Sequence, residues 1–201
     1  MLPQIAFAAG LVLAAASLPA AAQIAPAAVN GLKAGDVLFK GAGTATGTRV
    51  AAGWSNGDTR WGHTGIIVTD GAGHFSVIHA DTGEGRAGGE VRRVPLADYL
   101  SDVSTLGHYT VALTGEARAN YLAYAEATIG LPFDRRFSLD SVDRLYCSEL
   151  VWRALSAGAG KDILPDKSER FGRIYVSVSD LSDNPLLSES AVITSGEQPG
   201  E

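Results

Sequence analysis

Short apolar runs separated by glycine-rich turns occupy the middle of the chain. Residues 35–39 and 62–68 are rich in aliphatic and β-branched side chains, and each run begins with a glycine. Such runs predict buried strands. Asp70 begins a short turn that contains two glycines, so the run over 74–80 is expected to be the returning arm of a β-hairpin. Further strands are predicted over residues 91–94, 109–113 and 174–178.

Three segments have helical patterns. Pro95 is expected to open a short helix that ends at Leu100. Residues 115–129 contain strong helix formers with an apolar stripe, and residues 147–157 form a second amphipathic helix with Gly158 as its stop. Hairpin-linked strands together with segregated helices predict an α+β fold, a small antiparallel sheet packed with helices.

The two ends of the chain differ from its middle. Residues 5–18 are an uncharged, almost wholly apolar run, and alanines at 20–22 follow it, which is typical of a cleaved signal peptide over 1–22. No Lys or Arg precedes the run, so an uncleaved membrane tether and a misplaced start stay open. We expect a flexible lead-in over 23–30, one domain over 31–180 and a flexible tail over 181–201.

Charge and cysteine content exclude several classes of protein. The 201 residues carry 16 Lys+Arg and 22 Asp+Glu, a net charge of −6, which argues against nucleic-acid binding because phosphate recognition needs a basic face. A single cysteine excludes an intramolecular disulfide and a cysteine-based zinc cage. An unpaired cysteine in an exported protein is either a buried apolar residue or a reactive thiol.

The position of that cysteine favours a reactive thiol over a packed one. Cys147 lies where a loop enters the predicted 147–157 helix. Unpaired N–H groups and the positive end of the helix dipole favour a thiolate there, so we expect a lowered thiol pKa. The same N–H groups could hold the oxyanion of a tetrahedral intermediate. The alternative is a packed cysteine with no chemical role.

His63 and His79 are the candidate bases. They lie on opposite arms of the predicted hairpin, and a turn centred on Gly71 would place them directly opposite each other on one face. One imidazole could then take the thiol proton while the other orients it. Structural histidines are the alternative, and the spacing with Cys147 matches no zinc motif, so neither a metal nor a cofactor is expected. His74 and His108 are expected to lie outside the site, with no partner near His108.

Six segments occur in a recognisable order, namely GDVLF, GHTGIIV, VIHA, VPLADYL, LPFD and YCSELVWRAL. In content and order they resemble circularly permuted papain-like cysteine hydrolases, the YiiX-like branch of the NlpC-type family. The resemblance covers about residues 35–158, and its most specific motifs surround His63 and Cys147. It implies the permuted papain-like fold, with Cys147 as nucleophile, His63 as base and His79 as third polar member.

Some positions depart from the family pattern or have two interpretations. YiiX-like sequences often have Glu at the position of His79, and a neutral orienter stabilises an imidazolium less than a carboxylate does. Asp134, in LPFD, resembles a position near the cleft, where it either contacts substrate or caps loop backbone groups. Tyr146 either contacts substrate or packs. Glu149, in the first helical turn, complements the helix dipole and is interpreted as structural.

Together these features favour an exported, periplasmic or secreted cysteine hydrolase that cleaves amide bonds through a Cys-His-His triad and an acyl-enzyme. The resemblance and the leader suggest peptidoglycan peptides as the substrate. Contact with a membrane is expected only through the leader, if it is not cleaved. Two alternatives stay open: a lipid acyltransferase or esterase on the same triad, and an exported binding module without chemistry. The scissile bond and the oligomeric state are not encoded in any pattern of the chain.

Overall fold

The computed structural model describes residues 24–43, 51–83 and 88–195. The predicted leader and residues 196–201 lie outside the described residues. Among the residues described, no helix is both long enough and apolar enough to cross a membrane.

A six-stranded antiparallel sheet forms the centre of the fold. The strands are β1 Val37–Gly41, β2 Trp61–Thr69, β3 Phe75–Ala80, β4 Val91–Pro95, β5 Thr105–Val111, β6 Ser168–Arg170, β7 Arg173–Tyr175 and β8 Leu187–Thr194. The spatial order of the sheet is β4-β3-β2-β1-β5-β8, and a separate two-stranded ribbon pairs β6 with β7. The expected α+β class is confirmed.

Both faces of the sheet are covered, as the continuous apolar runs of β1 and β2 require. On β2, Ile66 belongs to the larger apolar cluster and Ile67 to the smaller one. The larger cluster lies under α2 (Gly115–Ala127) and α3 (Cys147–Ala159). The smaller cluster lies under α1 (Leu96–Leu100).

Helix α3 extends further than the sequence indicates. The predicted stop, Gly158, lies inside the helix, where a Cβ atom would come within 2.6 Å of the Ala117 carbonyl oxygen on α2. The absence of a side chain at Gly158 therefore permits close packing of the two helices. The helix ends instead at Gly160, whose φ of 66° gives the left-handed cap.

Both predicted flexible ends are wrong where the structure describes them. Ile24 and Val29 of the lead-in are buried in the smaller cluster, with a 3₁₀ turn over Pro26–Ala28 between them. At the other end, helix α4 (Val178–Ser182) and strand β8 continue the domain, and β8 pairs with β5 along its length. Strand β8 buries only Leu187 fully, because it lies at the edge of the sheet, and this is why its sequence looks like a polar tail.

The predicted strand over 174–178 is also largely wrong. Only Arg173–Tyr175 is a strand, and residue 178 begins α4. The strand predicted over 109–113 begins earlier than expected, at Thr105. His108, predicted to precede it without a partner, is buried inside β5, and its Nε2 lies 2.9 Å from Asp36 Oδ2.

Candidate active site

Cys147 is the first residue of α3, as the sequence predicts. Cys147 is buried, with 6% of its surface exposed. The backbone N–H groups of Thr64, Ser148 and Cys147 itself lie close enough to the thiol to lower its pKa in part. Since Thr64 follows His63 on β2, the sulphur lies against the strand that carries the first histidine.

The expected lowering of the thiol pKa is wrong for the free protein. Burial raises the pKa of the Cys147 thiol above its ordinary value, and the hydrogen bonds from the Thr64 and Ser148 backbones offset this only in part. A helix N-terminus favours a thiolate, but desolvation here is the larger effect. The resting nucleophile is therefore a neutral thiol.

The two candidate histidines meet. His63 Nε2 and His79 Nδ1 are 3.0 Å apart, and the rings are nearly perpendicular, at 89°. The predicted register is nevertheless wrong by two residues: Ile66 pairs with Ile78, so the hairpin is centred on residue 72 instead of Gly71. A two-residue shift keeps both side chains on the same face, and the rings interact diagonally instead of directly across the ladder.

Gly65 makes the diagonal contact possible. A Cβ atom added at Gly65 would lie 2.6 Å from Val77 Cγ1 and 3.1 Å from His79 Cβ. Both distances are shorter than an ordinary carbon–carbon contact. Val77 and His79 therefore occupy the space that a side chain at position 65 would fill, and the His79 ring reaches His63.

Tyr99 and Lys40 lie beside the histidine pair. The Tyr99 ring centroid lies 6.0 Å from that of His63 and 5.2 Å from that of His79. Lys40 pairs with His63 across β1 and β2, its Nζ lies 4.2 Å from the Tyr99 centroid, and it forms a salt bridge to Asp102 at 2.8 Å. No pattern in the sequence singles out either residue, although a lysine that follows a buried apolar run is a usable signal.

This environment keeps both imidazoles neutral. Burial lowers the pKa of His63 well below its ordinary value, and the nearby His79 and Lys40 lower it further. Burial also lowers the pKa of His79, to about 4. Within the part of the chain that the structure describes, the imidazoles hydrogen-bond to each other and neither bonds to the sulphur. The resting site thus contains a neutral thiol and two neutral imidazoles.

The two residues suggested as substrate contacts have different places. Asp134 is buried, and its carboxylate accepts hydrogen bonds from the backbones of Arg136 and Ser138, both at 2.8 Å. These hydrogen bonds make Asp134 a cap of the loop, and the suggested substrate contact stays a prediction. The Tyr146 ring is one wall of a cavity of about 60 Å³ beside Cys147.

The remaining histidines lie outside the site. His74 is exposed and pairs with Asp70 at 2.9 Å, as expected for a residue beside the turn. His108 binds Asp36, which also binds Arg118 at 3.0 Å, so this buried group joins β1, β5 and α2. In residues 24–43, 51–83 and 88–195, no group of three or more His, Cys, Asp or Glu side chains is placed to hold a metal ion.

A cysteine at a helix start beside a histidine-bearing sheet defines the class of papain-like thiol hydrolases, with the order of the two elements permuted. Residues 31–186 match the family described as permuted papain-like amidase enzyme, YaeF/YiiX, C92 family. The chain belongs to this family, which confirms the resemblance seen in the sequence, and it is a papain-like cysteine hydrolase. No curated protein matches the chain.

Proposed function

We propose that this protein hydrolyses amide bonds with Cys147 as nucleophile, His63 as general base and His79 as the residue that orients His63. The observation that carries the proposal is the position of the Cys147 sulphur, at a helix N-terminus and against the backbone of the residue that follows His63. The 3.0 Å contact between the histidines supplies the orienting interaction.

The protonation states set the first step. When the N–H of His63 Nε2 donates to His79 Nδ1, His63 Nδ1 keeps a free lone pair. That nitrogen takes the thiol proton as sulphur attacks the substrate carbonyl. Hydrogen bonds in active sites often tighten only when substrate binds, so the absence of a sulphur–imidazole bond in the free protein is compatible with this step.

The backbone supplies the electrostatic stabilisation. The N–H groups near the sulphur, from the start of α3 and from Thr64, would face the oxyanion that forms on the carbonyl oxygen. The His63 imidazolium then protonates the leaving amine, the C–N bond breaks and an acyl-enzyme forms. Water activated by neutral His63 releases the acid and regenerates the thiol.

We further propose that the protein is exported and acts on peptidoglycan peptides. The apolar run over residues 5–18 and the alanines at 20–22 support export. The amidase family supports an amide substrate. N-terminal sequencing of the protein recovered from the cell envelope tests the leader: a chain that starts near residue 23 supports cleavage, and a chain that starts at Met1 contradicts it.

The hydrolysis is tested with four purified proteins: wild type, Cys147→Ala, His63→Ala and His74→Ala. His74 is the matched control, because it is an exposed histidine on the same hairpin. Each is incubated with peptidoglycan fragments and separately with phospholipid vesicles, and released amines and fatty acids are measured. We expect wild type and His74→Ala to release amines, Cys147→Ala to release none, and His63→Ala to be slower by about 10²–10⁴-fold.

Two outcomes contradict the proposal. If Cys147→Ala still hydrolyses the substrate, Cys147 is not the nucleophile. Release of fatty acid without amines replaces the amide substrate by a lipid ester and supports the acyltransferase or esterase alternative.

A further inference from the structure

Phe137 has a backbone conformation that phenylalanine rarely adopts. Its φ is 50°, in the left-handed region that is unfavourable for a bulky side chain. The residue lies in the loop between α2 and α3, and its ring lines the cavity beside Cys147. Among the described residues other than glycine, Phe171 alone shares a positive φ, at 52°.

Asp134 holds this conformation. Its Oδ1 accepts from the Arg136 N–H and its Oδ2 from the Ser138 N–H, both at 2.8 Å, so the carboxylate binds the backbone on both sides of Phe137. The carboxylate is buried, where hydrogen bonds to a charged group are strong.

Arg153 ties the same loop to the helix that carries the nucleophile. Its guanidinium donates to the carbonyl oxygens of Leu139 at 3.2 Å and Ser141 at 3.1 Å. The same side chain pairs with Glu149 on α3 at 2.8 Å. The position of Phe137 is therefore fixed relative to Cys147 from two directions.

The cavity that Phe137 lines is apolar. The Phe137 ring centroid lies 5.2 Å from that of Tyr146 and 6.2 Å from that of Trp54. The polar atoms at its wall are already engaged, since the Tyr146 hydroxyl accepts from the Val176 N–H and the Ser148 hydroxyl donates to the Val176 carbonyl, both at 2.8 Å. No charged side chain is among the described residues that line it.

The cavity lies on the acyl side of the nucleophile. The residues that line it include Cys147 and Ser148 but none from β2, β3 or α1, the elements that surround the histidine pair. The leaving amine must contact His63 to receive its proton. The opposite side of Cys147 is then left for the group that stays attached to sulphur.

We propose that this cavity receives a compact aliphatic group next to the scissile carbonyl, and that Phe137, held by Asp134, limits its size. The inference rests on the proposed function of Cys147. A volume of about 60 Å³ is well below the roughly 150 Å³ of a cavity that binds benzene, so a branched group of a few carbons can be buried in it and a long acyl chain cannot be buried whole. Phe137 is a specificity-determining residue and Asp134 is its positioning residue.

The test measures alkylation of Cys147 by chloromethyl ketones that carry a methyl, an isobutyl or a nonyl group on the carbonyl. This group occupies the acyl side, and the reaction needs no turnover. We expect wild type to react about tenfold faster with the isobutyl than with the methyl reagent, as burial of the extra methyl and methylene groups predicts, and to disfavour the nonyl reagent. Iodoacetamide, which carries no such group, measures thiol reactivity separately.

The variants Phe137→Gly and Asp134→Asn test whether Phe137 limits the size of the group that the cavity accepts. Both are expected to reduce the isobutyl preference to about threefold or less and to admit the nonyl reagent. Each rate is divided by the iodoacetamide rate of the same variant, so that any change in the reactivity of the thiol itself cancels. Phe171→Gly is the matched control, because it relieves the same backbone conformation at a residue that is 88% exposed and outside the cavity wall. Phe137→Leu keeps an apolar wall and is expected to retain most of the preference.

The outcomes separate the two proposals. A Cys147 that reacts with iodoacetamide but shows the same preference in wild type and Phe137→Gly, or reacts fastest with the nonyl reagent, overturns the pocket and leaves the nucleophile in place. A folded wild-type protein whose Cys147 reacts with none of the reagents overturns the proposed function and this inference with it.

Discussion

Adding one methyl group at Gly65 is expected to separate the two histidines. The new Cβ would lie 2.6 Å from Val77 Cγ1, about 1 Å inside the optimal carbon–carbon distance, and 3.1 Å from His79 Cβ. Val77 is β-branched and cannot turn away easily, so β3 must move. Overpacking of this kind costs about 1–3 kcal/mol, or roughly 2–10 °C in Tm. A displacement near 1 Å at the site costs about 10²-fold in rate.

Gly71→Ala is the control for Gly65→Ala. Gly71 lies in the turn of the same hairpin, and a Cβ there would meet no atom within 4 Å. Thermal unfolding and amide hydrolysis are measured for both variants. Unchanged stability and activity in Gly65→Ala would refute the argument that the missing side chain positions His79.

Three further predictions concern charge and the sheet edge. Burial raises the pKa of Glu149 to about 7, so the native state holds a proton that the unfolded chain loses, and stability falls by up to about 3 kcal/mol between pH 4.5 and 7. Glu149→Gln should flatten this part of the curve in urea unfolding, and a persisting slope would contradict it. Lys40→Met removes a cation that lowers the pKa of both histidines, so their ring-proton NMR titrations should move toward the ordinary range, and unmoved titrations would contradict the contribution of Lys40. A chain that ends at residue 186 lacks β8 and should melt lower, whereas an unchanged Tm would restore the flexible-tail interpretation.

The local parts of the site follow directly from the sequence. The hairpin turn at Asp70 and the β-branched run that ends at residue 68 predict β2 and β3, and alternation along a strand places His63 and His79 on one face. The Cys147 helix begins where its pattern predicts. These features depend on neighbours in the chain, which are visible in the sequence.

The predictions that are wrong concern contacts between residues that are far apart in the sequence. The hairpin is centred on residue 72 instead of Gly71, because the turn has glycines at 71 and 73 and its local sequence does not select one centre. His108 forms a hydrogen bond with Asp36, which is seventy-two positions away in the sequence, and no local pattern indicates this contact. The thiol pKa was expected to follow the helix dipole, but burial of Cys147 outweighs the dipole, and burial is a property of the whole fold.

The central claim is that Cys147 forms an acyl-enzyme with the help of His63. The most direct measurement is peptide mass spectrometry after wild type is mixed briefly with p-nitrophenyl acetate and quenched in acid. We predict an acetyl group on the peptide that contains Cys147, and a much smaller acetylated fraction in His63→Ala. Release of nitrophenol with Cys147 unmodified and the acetyl group on another residue would contradict the account.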